Sequence, residues 1–389
     1  MANAQAAAMK KKRKLFSIAN GFDMPFLIIL MLILVIGLVG MYSASYAYAF
    51  YWYDGDSYYF IKRQLAFAVL GVVAMLMIST IDYHVLHKFS WVLWIVSLAL
   101  LVVAYIMPSS TGIHRWIRIP GIGQFQPSEV AKFALIVLYA HLVSLNHKKM
   151  KTFTKGYLPF MAILGITCGL VFIEPHLSGT ILIVCTGIVL MIVGGIKGWL
   201  IPLGIGGVGL VGALYVVLVQ KGILHYGENR INTWRDPFNA EWYRGDGWQI
   251  AQCLIAIGSG GLFGLGLGKS RQKYLYLPFQ YNDYIFAILC EELGLVGALG
   301  IMTLFALLIL RGYRIALNAP DRFSTVLSAG LVTLIAVQTL LNFGVVTNLL
   351  PSTGVALPFF SYGGTALAVN LGEMGIVLAV SRGRSRPKR

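Results

Sequence analysis

Long uninterrupted apolar stretches, not alternation or an amphipathic stripe, set the pattern of this chain. They lie near 24–45, 65–81, 89–107, 128–146, 158–173, 177–195, 199–219, 284–310, 323–350 and 364–381. Their lengths are of the order of the roughly 20 residues that a helix needs to cross the hydrocarbon core. Ten membrane-spanning helices are predicted, because a segment in lipid must satisfy its backbone hydrogen bonds internally. The fold class expected is an all-α polytopic membrane protein. One transmembrane domain covers 24–381, between an N-terminal tail of residues 1–23 and a short basic tail of residues 382–389. The first run is too long for the apolar core of a signal peptide and more spans follow it, so it reads as a retained anchor. Between the seventh and eighth spans lies a long loop, 220–283, rich in Trp, Tyr and Gly. Its stretch WQIAQCLIAIGSGGLFGLGLG predicts short helices lying on, or dipping into, the membrane interface.

Composition agrees with this: 58% of residues are hydrophobic and 12% charged. The formal net charge of +16 would point to nucleic acid in a soluble protein, but its distribution argues against such a partner. Lys10, Lys11, Lys12, Arg13 and Lys14 precede the first span. Lys148, Lys149, Lys151 and Lys155 follow the fourth; Arg311, Arg314 and Arg322 surround the loop after the eighth; Arg382, Arg384, Arg386, Lys388 and Arg389 close the chain. In a ten-span arrangement these segments share one side, which the positive-inside rule makes cytoplasmic, together with both termini. The outward segments are then 46–63, 108–127, 174–176, 220–283 and 351–363. The four cysteines show no metal-ligand spacing and read as small buried hydrophobes.

Candidate chemistry gathers in the outward segments. Asp283 stands where a polar loop meets an apolar helix, with Lys269, Arg271 and Lys273 just upstream. It suits a helix N-cap, and equally a carboxylate kept for chemistry beside an anionic substrate. The nearby GLGLGKS lacks the spacing of the nucleotide-binding phosphate loop and faces outward, so ATP is a poor fit. In HRWIRIPGIGQFQPSEVAK, Pro127 begins a helix with Ser128 as a plausible cap. Glu129 and Lys132 share a face there, either as a structural ion pair or with Lys132 aimed at phosphate alongside Arg115 and Arg118. Glu291 and Glu292 lie about 12 Å deeper than Asp283 along the next helix, where an ion pair with Lys132 is the structural alternative. Glu174 and His176 read as supporting contacts or helix-end devices, and Trp234, Trp242, Tyr243 and Trp248 as interfacial anchors. Pro351, Gly354 and Pro358 punctuate a re-entrant loop, with a packing role first and a substrate-lining role second.

These segments together resemble the SEDS family, the shape, elongation, division and sporulation proteins (FtsW/RodA/SpoVE). The resemblance rests on GLVGMYSAS at 37–45, the Arg-Gln pair at 63–64, RWIRIPGIGQFQPSEVAK, EPHLSGT, KYLYLPFQYNDYIFAILCEELG and LPFFSYGGT. It implies a peptidoglycan glycosyltransferase that polymerises lipid II on the outer face of the cytoplasmic membrane. The wording is closest to the division and sporulation branch. The family's essential aspartate, from its T-D-F-I-F motif, falls on Asp283, and its Q-P-S-E-x-x-K motif falls on Glu129 and Lys132. The implied partners are lipid II, the undecaprenyl-pyrophosphate-linked glycan and a class B penicillin-binding protein. This chain departs from the family at Phe279, Gln280, Tyr281 and Asn282, at His176 in place of an aspartate, and in an inserted Ser178.

Glycan extension needs a base for the attacking hydroxyl and positive charge at the departing pyrophosphate. The site expected has Asp283 as base, with Arg115, Glu129, Lys132, Lys273 and Glu291 as substrate-binding residues. No cofactor is evident; a divalent cation, Mg2+ or Mn2+, could share the phosphate work. Two rival readings are a lipid II flippase, favoured by intramembrane charges, and a non-catalytic division scaffold.

Overall fold

The computed structural model describes residues 21–107, 115–119, 123–174, 177–199, 228–240 and 247–383, together with positions 202, 206, 243 and 245. The expected span at 199–219 lies almost entirely outside them. The helices are α1 Met24–Trp52, α2 Tyr59–Thr80, α3 His84–Ile106, α4 Pro127–Asn146, α5 Leu158–Ile173, α6 Leu177–Val193, α7 Glu228–Arg235, α8 Trp248–Ser259, α9 Ile285–Leu317, α10 Arg322–Val346 and α11 Gly364–Gly383. A short antiparallel hairpin, β1 Ile117–Ile119 and β2 Gly123–Phe125, precedes α4. Among the described residues eight helices are long and apolar enough to cross a membrane, with Leu177–Val193 a shorter apolar one.

Several helices outrun the apolar stretches that announce them. α1 continues to Trp52, α2 begins at Tyr59 and α3 at His84. Hydropathy marks the lipid-embedded part of a helix, whereas the backbone ladder continues through polar ends as long as nothing breaks it. The outward segment expected at 46–63 therefore shrinks to a turn over residues 53–58.

Because both faces of a span are apolar, sequence alone does not say which faces protein. In α1 the buried positions include Phe26, Leu30, Ile33, Gly37, Gly40 and Ala44, at spacings of three and four, while Ile28, Leu32, Val35 and Val39 are exposed. From Gly37 onward small residues (Gly37, Gly40, Ser43, Ala44, Ala47) dominate the protein side, as suits packing without a hydrophobic drive between helices. α10 is buried over most of its surface and forms the axis of the bundle.

The ends of the bundle fix the up-and-down order. Arg311, near the end of α9, makes paired bonds of 2.8 and 3.0 Å to Asp23, the N-cap of α1. His84, opening α3, bridges Asp82 at 2.6 Å and Asp321, the N-cap of α10, at 2.9 Å. Arg382, closing α11, donates to the carbonyl of Ser79 at the end of α2. These contacts gather at one end, which carries Arg311, Arg314, Arg322 and Arg382. The turn at 53–58, Glu174, the strands β1 and β2, and the segments 228–240, 247–284 and 347–363 belong to the other.

Candidate active site

The glycine-rich run before Asp283 turns out to be a clip. Gly294 breaks α9 with φ 67° and ψ −169°, and residues 260–266 supply hydrogen-bond partners at the break. Leu265 and Gly266 donate to the carbonyls of Glu291 and Glu292 (both 2.9 Å), and Leu295 and Val296 donate back to Gly261 and Leu262 at 2.9 and 3.1 Å. A Cβ on Gly294 would lie 2.3 Å from the nitrogen of Gly264, and one on Gly264 would lie 2.1 Å from the carbonyl oxygen of Glu292. Only glycine permits this approach of two backbones, and non-helical backbone is tolerated where protein encloses it.

The acids beside the break anchor the same loop. Glu292 pairs with Lys273 at 2.8 Å, both side chains wholly buried, and accepts the Ser43 hydroxyl at 2.7 Å. Glu291 accepts from the Ser270 hydroxyl, the Arg271 amide (3.0 Å) and the Gln272 amide (3.3 Å). Lys273 and Glu291 are residues expected to bind substrate. Their polar atoms are taken up in tying the loop to α9, and a fully buried, paired ammonium is poorly placed to receive a phosphate. For Glu292 the ion-pair partner is Lys273 and not Lys132.

This anchoring delivers the segment 276–284 to a fixed seat. Trp248 and Gln249 of α8 donate to the carbonyls of Tyr276 and Pro278 at 2.7 and 3.1 Å. Three consecutive carbonyls are then clamped: Tyr281 by the Tyr362 amide (2.9 Å), Asn282 by the Ser361 hydroxyl (2.7 Å) and Asp283 by the Asn342 amide (2.8 Å). Asn342 also donates to Val355 at 2.7 Å, joining α10 to the re-entrant loop. Gln64 closes the arrangement by bonding Ser361 and Gly363 at 3.1 and 3.2 Å. Tyr281 packs within an aromatic box of Tyr48, Phe60 and Tyr362. The loop at 351–363 thus positions Asp283, a role beyond the packing expected of it.

Asp283 is no helix cap. The N-cap of α9 is Tyr284, and no side chain caps that end. The clamp uses only the Asp283 backbone. Burial pushes its carboxyl up to about 6, against the opposing charges of Arg115 and Arg230. Gly354, with φ +68°, passes so close that a Cβ there would stand 3.3 Å from Asp283 Oδ2. Arg230, on α7, donates to the Ser352 carbonyl at 3.1 Å. Trp234 and Asn348 exchange bonds of 3.1 Å, so α7 lies over the re-entrant loop. Trp234 and Trp248, expected as interfacial anchors, act instead as donors to loop carbonyls; Trp242 is outside the described residues. Arg115 acts also on Glu174, whose carboxyl burial pushes up to about 8 with Arg115 opposing. Arg118 pairs with Gln124 through the hairpin backbone.

Deeper in the bundle, Glu129 and Lys132 form an ion pair of 2.7 Å with Lys132 nearly inaccessible. The N-cap of α4 is Gln126, and Ser128, expected as the cap, lies buried inside the first turn. Lys132 and Glu129 both act electrostatically on Glu373 of α11. The structure therefore brings together Asp283 with Arg115, and Glu129 with Lys132, and adds three residues that sequence reasoning passed over. Glu373 was signalled by an acid inside the last apolar run. Arg230 was one of several basic residues in a long loop, and Asn342 was one polar residue in a span.

The architecture defines a class: a polytopic membrane protein whose polar site, built from loop segments, sits at one end of a helical bundle. The chain belongs to the cell cycle protein family FtsW/RodA/SpoVE, whose sequence profile matches residues 23–386. It is 41% identical over 366 residues to stage V sporulation protein E of Bacillus subtilis, covering 92% of this chain and 97% of that protein. It is 36% identical to a probable peptidoglycan glycosyltransferase FtsW of Geobacter sp., covering 93% of this chain and 97% of that one. Among solved structures, a chain of a peptidoglycan synthase complex superposes with a TM-score of 0.77 at 24% identity, covering 95% of this chain and all of that one. The rod shape determining protein RodA of Thermus thermophilus superposes with a TM-score of 0.67 at 24% identity, covering 94% of this chain and 99% of that one.

Proposed function

We propose that this chain is a peptidoglycan glycosyltransferase that polymerises lipid II at the outer face of the bacterial cytoplasmic membrane, with both termini in the cytoplasm. Carrying the proposal is the seat of Asp283: its carbonyl and those of the two residues before it are clamped by Asn342, Ser361 and Tyr362, while its carboxylate, facing Arg115 and Arg230, takes no part in the clamp. A carboxyl near 6 is mostly ionised at neutral pH yet basic enough to accept a proton, the compromise a general base requires. In an inverting displacement Asp283 takes the proton of the acceptor sugar hydroxyl as its oxygen attacks the anomeric carbon. The bond from that carbon to the lipid pyrophosphate breaks, and the leaving group keeps the electron pair. Arg115 and Arg230 stabilise its negative charge. Among the described residues no three of His, Cys, Asp and Glu gather to hold a metal. A Mg2+ or Mn2+ ion would then rest on Asp283 and on the phosphates it accompanied, and loss of turnover with EDTA, restored by either ion, would support it.

The cell cycle family and the relative named for sporulation support a role in division or sporulation wall synthesis, and the superposed synthase complex supports a class B penicillin-binding protein as partner. Purified protein, with and without such a partner, should extend labelled lipid II into glycan strands, and Asp283→Asn should not. One observation favours a second reading: the buried Glu129–Lys132–Glu373 cluster suits a path for a charged headgroup through the bundle, as in a flippase. Translocation of labelled lipid II into sealed vesicles without polymer formation would decide for it.

A further inference from the structure

Glu174 ends α5 as its C-cap residue, 1% exposed, and neither of its carboxylate oxygens has a hydrogen-bond partner. The Nε of Arg115 is likewise buried and unpartnered. Burying a polar group without a hydrogen bond is costly, and an apolar residue of similar size would avoid that cost. Two orphaned groups that interact with each other, one of which also faces Asp283, describe a site built for a third party that brings its own acceptors and donors.

We propose that Glu174, as a neutral carboxylic acid, is a further substrate-binding residue that donates a hydrogen bond to a pyrophosphate oxygen held by Arg115. This rests on the reading of the site as one for lipid-linked pyrophosphate. Arg115, just before the hairpin, is the charged group that acts on Glu174 among the described residues; α3, α4, α6 and the turn Phe153–Tyr157, packed against α5, bring none to it. Its carboxyl, pushed up to about 8 by burial, keeps its proton at neutral pH. With Arg115 and Arg230 positive and Asp283 negative, a neutral Glu174 leaves the cluster one net positive charge for the incoming anion. An ionised Glu174 would cancel it and repel phosphate. The two carboxyls are thereby divided, one poised to accept a proton and the other to keep its own.

The test measures binding of undecaprenyl pyrophosphate to the full chain in lipid nanodiscs, for wild type, Glu174→Gln and Glu174→Met, with thermal melting alongside. Glu174→Gln keeps a neutral donor and should bind within a few-fold of wild type. Glu174→Met should weaken binding about tenfold, the loss of one hydrogen bond, while its melting temperature holds or rises because an orphaned polar group is gone. Wild-type affinity should fall above pH 8 and that of Glu174→Gln should not. Equal binding by Glu174→Met, a lowered melting temperature in that variant, or no binding by wild type overturns the assignment. A wild-type chain that binds in this pattern but never polymerises lipid II would sink the proposed activity and leave Glu174 as assigned.

Discussion

Removing the charge of Asp283 while keeping its shape separates chemistry from architecture, because the clamp holds its backbone and not its carboxylate. Asp283→Asn should leave the protein folded, with a melting temperature no lower than wild type. Polymerisation should drop by roughly 100-fold or more, the usual cost of losing a general base. In the wild type, activity should rise with pH through about 6 as Asp283 loses its proton; a flat profile there would argue against the base. Gly354→Ala offers a finer perturbation. A methyl group 3.3 Å from Asp283 Oδ2, on backbone with φ +68°, costs about 1–2 kcal/mol in strain and should lower turnover while lipid II binding persists. Asp283 was legible in the sequence because an acid at a loop–helix boundary beside basic residues is conspicuous. Gly354 and Asn342 were not, since what they do depends on segments returning from 59 residues away or more.

At the scale of elements, the buried Lys273–Glu292 pair should behave as architecture. Lys273→Met strands a carboxylate in the protein interior and should destabilise by about 3–5 kcal/mol, seen as poor accumulation and a lower melting temperature. Adding Glu292→Leu should restore much of the loss, an outcome that a phosphate-binding Lys273 would not give. The pair Glu129–Lys132 poses the opposite question. If Lys132 binds phosphate, Lys132→Ala should weaken use of lipid II while the protein still accumulates. Exchanging the two residues would set a carboxylate at position 132 beside Glu373, so recovery of activity by the exchange alone would count against a phosphate role for Lys132. Spans were readable from apolar runs wherever lipid surrounds them. The break at Gly294 was hidden, because the residues on both sides of it are apolar and the partner strand lies in a loop that sequence could only describe as glycine-rich.

Across the whole molecule, the contacts of Arg311 with Asp23 and of His84 with Asp321 gather α1, α3, α9 and α10 at one end, the end that basic residues marked. Reporters fused after Lys155 or Arg389 should therefore report cytoplasm, and reporters inserted between 236 and 247 should report the exterior. A cytoplasmic signal from the latter would overturn the site, since its residues share that end with Asp283. Among the described residues, the eight long apolar helices were legible from hydropathy alone. The docking of α7 over the re-entrant loop was not, because it depends on single hydrogen bonds between distant segments.

The backbone clip also dictates an order of assembly at the ribosome. The amides of Leu295 and Val296 bond to the carbonyls of Gly261 and Leu262, and those glycine-rich residues emerge from the ribosome before α9 does. No water stands in for them inside a bilayer. The loop and the upper turns of α9 must then leave the insertion machinery as one unit, so that the segment carrying Asp283 is drawn into its seat by the same event that completes the helix beneath it.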